Sequence, residues 1–160
     1  FMQGGGQERR RRAGTLNVAG AAGFCAALQA STGLSHVKRL RDQIEAGLKI
    51  MEPQLVIFGE SENRLPNTSF FAVPDAASNT LMMTLDLQGV SVSTGMACSS
   101  GKVGASRAIT AMRRTDEAPK GCLRVSLGYN STQADVESFL SAWAKIRKRP
   151  RKNKSKEKAA

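Results

Sequence analysis

The chemistry that this sequence offers is concentrated around a single cysteine, Cys98. Alternating Val and Ser over 90–93 predict a short half-buried strand, and the Ser, Thr and Gly residues that follow predict a loop around the thiol. A cysteine that serves only packing usually lies on an apolar face, whereas one among small polar loop residues can reach a substrate as a thiolate. Lys102 follows closely and would favour the thiolate. From the residues alone, Cys98 is either a reactive thiol or a surface cysteine without a chemical role.

A second candidate lies near the beginning of the chain, where glycines are followed by four arginines and a threonine. Gly4–Gly6 allow the backbone to approach an anion closely, and the guanidinium groups of Arg9–Arg12 and the hydroxyl of Thr15 add donors. The segment lacks the Gly-Lys-Ser/Thr ending of a Walker loop. Two interpretations stay open, a phosphate-binding loop and a solvated beginning of the chain.

Residue counts argue against other kinds of catalytic or metal site. The three cysteines, Cys25, Cys98 and Cys122, are widely spaced and form no Cys-x-x-Cys pair, which favours a reducing cytoplasm over a disulfide framework or a zinc site. His36 is the only histidine, so we expect neither a histidine-based triad nor a multi-histidine metal site within the chain.

Charge and hydropathy set further bounds. The net charge of +11 comes largely from two segments, 9–12 and 147–158, and therefore says little about the globular part. No apolar run approaches the ~20 residues of a membrane span, and no signal peptide is visible, so we expect a cytoplasmic protein without a membrane segment. The chain opens directly on glycines, as if taken from a longer protein. The alternative function is a non-enzymatic basic protein that binds nucleic acid through 9–12 and the tail, although interleaved aromatic residues are lacking.

The pattern of apolar residues predicts the framework that must position these groups. In the first helix Cys25 is assigned to an apolar stripe, where it would pack in a core. In the second helix the charged residues, Arg41 and Glu45 among them, are assigned to the solvent face. Thr132–Asp135 has the form of a capping box for the last helix. Helices are predicted at 17–29, 36–51, 76–87, 105–113 and 132–146, and strands at 55–58, 68–73, 90–92 and 122–127. This order favours an α/β fold (an α+β small domain), with a small mixed or antiparallel sheet and helices on one face.

Three blocks in this order resemble the C-terminal part of a cysteine desulfurase, a pyridoxal-phosphate enzyme of fold type I in the class V aminotransferase group. The blocks are Gly4–Gly20, Arg64–Thr68 and Val92–Gly104, the last followed by Leu123–Gly128. The resemblance runs from Gly4 to about Ile146. It implies that 1–33 is the end of the large cofactor domain (phosphate loop and helix), that 34–146 is the C-terminal small domain with its linking helix, and that 147–160 is a disordered basic tail. The rest of the large fold-type I domain would be missing from this chain.

The resemblance also implies a role for four residues. Cys98 matches the loop cysteine that receives sulfur and becomes a persulfide, and Arg124 matches the arginine that holds the substrate carboxylate. Thr15 matches a residue that reaches the cofactor phosphate of the neighbouring subunit in a homodimer. Asn67 matches the Asn of the Leu-Pro-Asn-Thr block and is grouped with the substrate-binding residues. Met96 replaces a usual Ser, and Arg10 and Arg11 replace a Gly and an apolar residue.

The implied activity is the removal of sulfur from L-cysteine, giving L-alanine and a persulfide on Cys98. The sulfur would then pass to an iron–sulfur scaffold protein or to another acceptor such as a tRNA-thiolation pathway. No segment resembles the block with the cofactor lysine, and Lys102 lies in the wrong block to replace it. Most of the pyridoxal-phosphate site is therefore expected outside this chain, which alone would not complete a turnover. Selenocysteine lyases and aminotransferases of the same class are nearby variants, but the thiol-bearing loop favours a desulfurase.

Overall fold

In the computed structural model the chain divides into two units, Phe1–Gly33 and Leu34–Ala160. The residues described are 4–30, 34–95 and 106–148. In the first unit a 3-10 turn at Gln7–Arg10 precedes helix α1 (Val18–Ala30). The side chain of Asn17 caps this helix by accepting the Gly20 N–H at 2.9 Å.

Helix α1 corrects one prediction from the sequence. Cys25 is exposed instead of packed in a core, and no residue of α1 is buried. The helix carries no charged residue on any face, so its apolar surface is continuous and not a stripe. Within its own unit the only other described element is the short 3-10 turn, which is too small to cover such a helix.

The second unit is built on an antiparallel sheet of four strands, which confirms the predicted small sheet. The spatial order is β1-β2-β4-β3, with β1 at Val56–Ile57, β2 at Thr68–Ala72, β3 at Ser93–Thr94 and β4 at Leu123–Ser126. All three pairings are antiparallel.

The third strand lies later in the chain than the predicted 90–92. Val90 is still bound to the end of the preceding helix, because its N–H donates to the carbonyl of Leu85 at 3.0 Å. Gly89, with a φ of 78°, supplies the left-handed residue that such a helix ending requires. The chain is therefore free to pair with β4 only from Ser93 onward.

Three long helices cover one face of the sheet, as predicted. They are α2 (Ser35–Met51), α3 (Ser78–Asp86) and α5 (Gln133–Lys148). Residues at helical spacing on α2 and α5 pack with alternate residues of the strands in one core, which includes Leu40, Ile44, Leu48, Phe71, Leu123, Val125, Val136, Phe139 and Trp143. At the start of α5 the Asp135 carboxylate accepts the N–H of Thr132 at 2.8 Å, which is one half of the expected capping box.

The opposite face of the sheet is covered only in part. A short helix, α4 (Arg107–Ala111), lies over one end and forms a small second core of Phe58, Ala72, Ile109 and Cys122. Burial alternates along β4, with Leu123 and Val125 buried and Arg124 and Ser126 exposed. The part of this face that contains Arg124 is thus open to solvent.

The last helix continues beyond the predicted end of the folded part at 146. Arg147 lies within α5, and its guanidinium binds the buried carboxylate of Glu52, with a further contact to Asp75 at 3.2 Å. This pairing draws the beginning of the predicted tail into the fold. The remainder of the tail, 149–160, lies outside the described residues.

Candidate functional site

The open face of the sheet places Arg124 next to the strand that leads to Cys98. Arg124 on β4 is paired with Ser93 on β3 and with Phe70 on β2. Opposite residues of antiparallel strands lie about 4.5–5.5 Å apart at Cα, so Arg124 is adjacent to the residue five positions before Cys98. Because the side chains alternate in burial along β4, the guanidinium is exposed. A cation is therefore presented to solvent beside the beginning of the Cys98 segment.

Asn67 immediately precedes β2. Its carbonyl accepts the N–H of Leu127 at 2.8 Å, just before Thr68 pairs with Ser126. Leu127 is three residues from Arg124 on the same chain, so the backbones of Asn67 and Arg124 are about 10 Å apart along the strand direction. The two predicted substrate-binding residues are therefore separated along the sheet, with Arg124 on the open face and Asn67 opposite Leu127, which packs against the covered core.

Two charged residues of α2 hold the segment that carries Asn67. Arg64 donates two hydrogen bonds to the Glu45 carboxylate at 2.7 and 2.6 Å, and Arg41 donates to the carbonyl of Leu65 at 2.9 Å. The hydrogen bonds with Glu45 raise the pKa of Arg64 further above its usual value. The bidentate pair fixes both the position and the orientation of the loop before β2.

The assignment of Arg41 and Glu45 to a solvent face was wrong. Their exposed fractions are 5% and 6%, because the loop at 64–67 covers them. A prediction from helical periodicity places every charged residue on the solvent face, so it could not reveal that Arg41 and Glu45 bind the loop. The sequence signal that was available is Arg64 in the Arg-Leu-Pro-Asn block, a cation that needs a carboxylate partner.

Cys98 lies outside the described residues, which end at Gly95 and resume at Ser106. The Ser106 hydroxyl donates to the Gly95 carbonyl at 2.9 Å, and the Gly95 N–H donates to the Cys122 carbonyl at 2.8 Å. A Cβ at Gly95 would lie 2.0 Å from the Cys122 sulfur and 2.7 Å from the ring of Phe70, so only glycine fits. The two residues that flank the undescribed segment are therefore in contact with each other, and Gly95 is bound to Cys122, immediately before β4.

Cys122 is buried, with an exposed fraction of 2%. Burial raises the pKa of its thiol, and this outweighs the opposing effect of hydrogen bonds with Ser106 and the Gly95 backbone. A thiol in this state is a poor nucleophile at neutral pH, because the thiolate is the reactive form. Neither Ser106 nor Cys122 was predicted to have a role near Cys98.

Thr15 lies in the first unit, where the arginine-rich segment forms a tight turn. Arg12 donates from both terminal nitrogens to the Thr15 carbonyl at 3.3 Å, and Thr15 itself is exposed. Glu8, Arg9 and Arg10 have φ between 50° and 65°, a left-handed conformation that is strained for residues with a side chain. An exposed hydroxyl beside guanidinium groups is a donor set that suits a phosphate.

Within 4–30, 34–95 and 106–148, no group of three or more His, Cys, Asp and Glu side chains could hold a metal ion. Over the same ranges, no helix combines the length and apolar character needed to cross a bilayer.

Most of the chain is similar to part of several longer proteins. A family model described as aminotransferase class-V matches residues 3–139. A cysteine desulfurase of Cereibacter sphaeroides is 38% identical over 142 residues, which cover 88% of this chain and 37% of the relative. The cysteine desulfurase NifS of Azotobacter vinelandii is 36% identical over 145 residues, covering 88% of this chain and 36% of the relative.

A comparison of folds also matches this chain to part of a longer protein. The X-ray structure of a NifS-like protein from Rickettsia africae ESF-5 matches with a TM-score of 0.73 and 31% identity, over 92% of this chain and 39% of that chain. The chain thus spans little more than a third of the length of the relatives it matches.

Proposed function

Because the chain belongs to the aminotransferase class-V family, we propose that it is the C-terminal part of a cysteine desulfurase. The names of its relatives support this proposal, and so does the presence of a cysteine in the segment after β3. The observation that carries it is the pairing of Arg124 with Ser93, which brings a carboxylate-binding side chain next to the chain that leads to Cys98.

Arg124 is proposed to bind the carboxylate of L-cysteine. A guanidinium offers two parallel N–H groups that match the two carboxylate oxygens, and this fixes the orientation of the amino acid as well as its position. The open face around Arg124 leaves room for a small substrate, whereas the other end of that face is filled by α4. Asn67, held by the Arg64–Glu45 pair through its loop, is proposed to add polar contacts to the same substrate.

Cys98 is proposed to take the sulfur of the bound cysteine. Its thiolate donates an electron pair to the substrate sulfur and forms an S–S bond, while the Cβ–S bond breaks and its electron pair stays with carbon, which gains a proton. One L-cysteine and one protein thiol thus become one L-alanine and one protein persulfide. Cys98 is five positions after Ser93, and a fully extended chain over five positions spans about 18 Å. A substrate held by Arg124 is within this limit.

Pyridoxal phosphate is the cofactor that this family implies, and the residues of the first unit suit its phosphate. Thr15 and the guanidinium groups of Arg9–Arg12 would hold the phosphate, with Thr15 contributing from one subunit of a homodimer to the site of the other. When bound, the cofactor supplies the electron sink that weakens the Cβ–S bond. The lysine that anchors it is proposed to lie in a part of the enzyme outside this chain, so the chain alone is proposed to be inactive.

The persulfide is proposed to be a carrier for sulfur delivery in the cytoplasm. A persulfide sulfur on a side chain is transferable to a second thiol, so the partner is expected to present a cysteine or an activated RNA base. An iron–sulfur scaffold protein and a tRNA-thiolation protein are the two kinds of acceptor proposed.

The test uses the intact protein that contains this chain, loaded with pyridoxal phosphate and incubated with L-cysteine. We expect the peptide with Cys98 to gain the mass of one sulfur atom and Cys98→Ser to lose this gain together with alanine production. Cys25→Ser, which changes an exposed cysteine of the first unit, is the matched control and keeps both. Full alanine production by Cys98→Ser would contradict the proposed nucleophile.

Arg124→Ala tests the substrate site in the same assay. Loss of a charged, bidentate contact costs about 1.5–3 kcal/mol, so KM for cysteine should rise about 10- to 100-fold. Arg39→Ala, at an exposed position of α2, is the control and leaves KM unchanged. An unchanged KM for Arg124→Ala would remove Arg124 from the site.

A further inference from the structure

We infer that the Ser106 hydroxyl is a positioning group for Cys98. Its hydrogen bond to Gly95 links the two described residues on either side of the Cys98 segment, and Gly95 is in turn bound to Cys122, next to the strand of Arg124. This inference rests on the proposed function, in which Cys98 must meet a substrate held by Arg124. Ser106 carries no motif that would predict this role.

The contacts form a single junction of three residues. The Ser106 Oγ donates to the Gly95 carbonyl at 2.9 Å, across eleven positions of the sequence. The Gly95 N–H donates to the Cys122 carbonyl at 2.8 Å, and the Cys122 sulfur lies against Gly95, 2.0 Å from where a Cβ would be. Cys122 stands two residues before Arg124 and immediately before β4, so the junction adjoins the strand that carries the proposed carboxylate site.

The hydroxyl is directed to this junction and not to the helix that it precedes. Ser106 is the N-cap residue of α4, where a serine side chain normally accepts an N–H of the first turn, but it makes no side-chain cap. The Ser106 carbonyl serves α4 instead, accepting from the N–H and the hydroxyl of Thr110 at 2.9 and 3.1 Å. A serine needed only for the helix would use its hydroxyl there, so its use at Gly95 points to the junction as its role.

The junction leaves little freedom to the residues that compose it. Ser106 has an exposed fraction of 7%, and the sulfur of Cys122 fills the space where a side chain at Gly95 would be. Cys98 is three positions after Gly95, so a shift of Gly95 is passed on over a chain of at most about 11 Å. A misplacement of about 1 Å at a reacting group can cost about 100-fold in rate. Loss of the Ser106 hydroxyl should therefore slow sulfur transfer without weakening cysteine binding.

The experiment compares Ser106→Ala, Ser106→Thr and Ser78→Ala in the intact enzyme loaded with pyridoxal phosphate. Ser78 is the matched control, since it is also a buried serine at the beginning of a helix but lies in α3. We expect Ser106→Ala to lower kcat for alanine production 10- to 100-fold with KM for cysteine changed less than about two-fold. Ser106→Thr restores the hydroxyl and most of kcat, and Ser78→Ala leaves both constants unchanged.

A second readout does not depend on turnover. In the 160-residue chain itself, the rate at which an alkylating reagent labels Cys98 should differ between Ser106→Ala and the unchanged chain, and Ser106→Thr should return it to the original rate. Ser106→Cys, which keeps the size but donates weakly, gives an intermediate kcat if Ser106→Ala does not fold.

Three results would overturn the inference. The first is a kcat of Ser106→Ala, or of folded Ser106→Cys, equal to that of the unchanged enzyme. The second is a lower kcat together with a comparable rise in KM and a lowered unfolding midpoint. The third is a kcat that does not recover in folded Ser106→Thr. None of them touches the proposed function, which is judged by sulfur on Cys98 and by Cys98→Ser. Conversely, full activity of Cys98→Ser would reject the proposed function whatever Ser106 does.

Discussion

The strongest test of the fold is the removal of one buried carboxylate, Glu52, which ends α2 and holds α5. Its exposed fraction is 6%, and it accepts the indole N–H of Trp143 at 3.1 Å and the Nη2 of Arg147 at 2.9 Å. A third bond comes from the Nε of Arg147. Glu52→Ala would remove all three contacts and leave both donors behind.

The expected loss follows from the state of each donor. Trp143 is 0% exposed, so its N–H would be buried without a partner, at a cost of about 1–3 kcal/mol. Breaking a fully buried ion pair costs about 3–5 kcal/mol, but the side chain of Arg147 is 23% exposed and keeps Asp75 at 3.2 Å, which reduces that part. We expect Glu52→Ala to lower the free energy of unfolding by about 3 kcal/mol, a large share of the stability of a small domain.

Urea unfolding of the 160-residue chain measures this loss. Trp143 is the only tryptophan and lies at the contact, so its fluorescence reports the transition directly. Glu60→Ala is the matched control, because Glu60 also pairs with a cation, Lys49, but both side chains are 48% exposed. An exposed pair contributes about 0–1 kcal/mol. Equal losses in the two variants, or a loss below about 1 kcal/mol for Glu52→Ala, would refute the reasoning.

Two further predictions concern polar atoms in the cores. Ser69 Oγ is buried and has no hydrogen-bond partner among the described residues, so Ser69→Ala should raise the free energy of unfolding by about 1 kcal/mol, whereas Ser126→Ala on the exposed face of β4 changes it by less than about 0.5 kcal/mol. A destabilised Ser69→Ala in urea unfolding would contradict this. Burial raises the pKa of Cys122, so its contribution to stability is complete below the unfolded thiol value of about 8.5 and is lost as pH rises toward the raised folded value. The urea midpoint should therefore fall less between about pH 7.5 and about pH 10 in Cys122→Ala than in the unchanged chain, and equal falls would count against the buried thiol.

The sequence predicts the fold correctly where the spacing of apolar residues along an element matches the face that the element packs against the sheet. The stripe of Leu40, Ile44 and Leu48 on α2 packs on the sheet as its spacing requires. The pattern failed at β3, because the alternation of Val and Ser at 90–93 is the same whether the chain pairs with β4 or remains tied to the end of α3. It also failed at Arg41, which is covered by a loop 24 positions away in sequence.

The candidate site shows a similar division. Arg124 and Asn67 are predicted from motif blocks, and the sheet places their backbones about 10 Å apart along the strand direction. Ser106 carries no motif and no periodic position, and its contact with Gly95 arises only when α4 and β4 are in place. Cys25 is assigned to a core because it lies on a predicted apolar stripe, but it is exposed and no residue of α1 is buried.

The spatial order of the sheet has a consequence for how the chain tolerates change. β3 is an edge strand that pairs over only two residues, and the described strand pairs include no position between Gly95 and Ser106. Extra residues inserted there would not alter the register of any neighbouring pair, and doubling the length of such a segment costs only about 0.6 kcal/mol in closure entropy. Added length between Gly95 and Ser106 should therefore change the folding stability little, while the strand pairs that hold Arg124 keep their register.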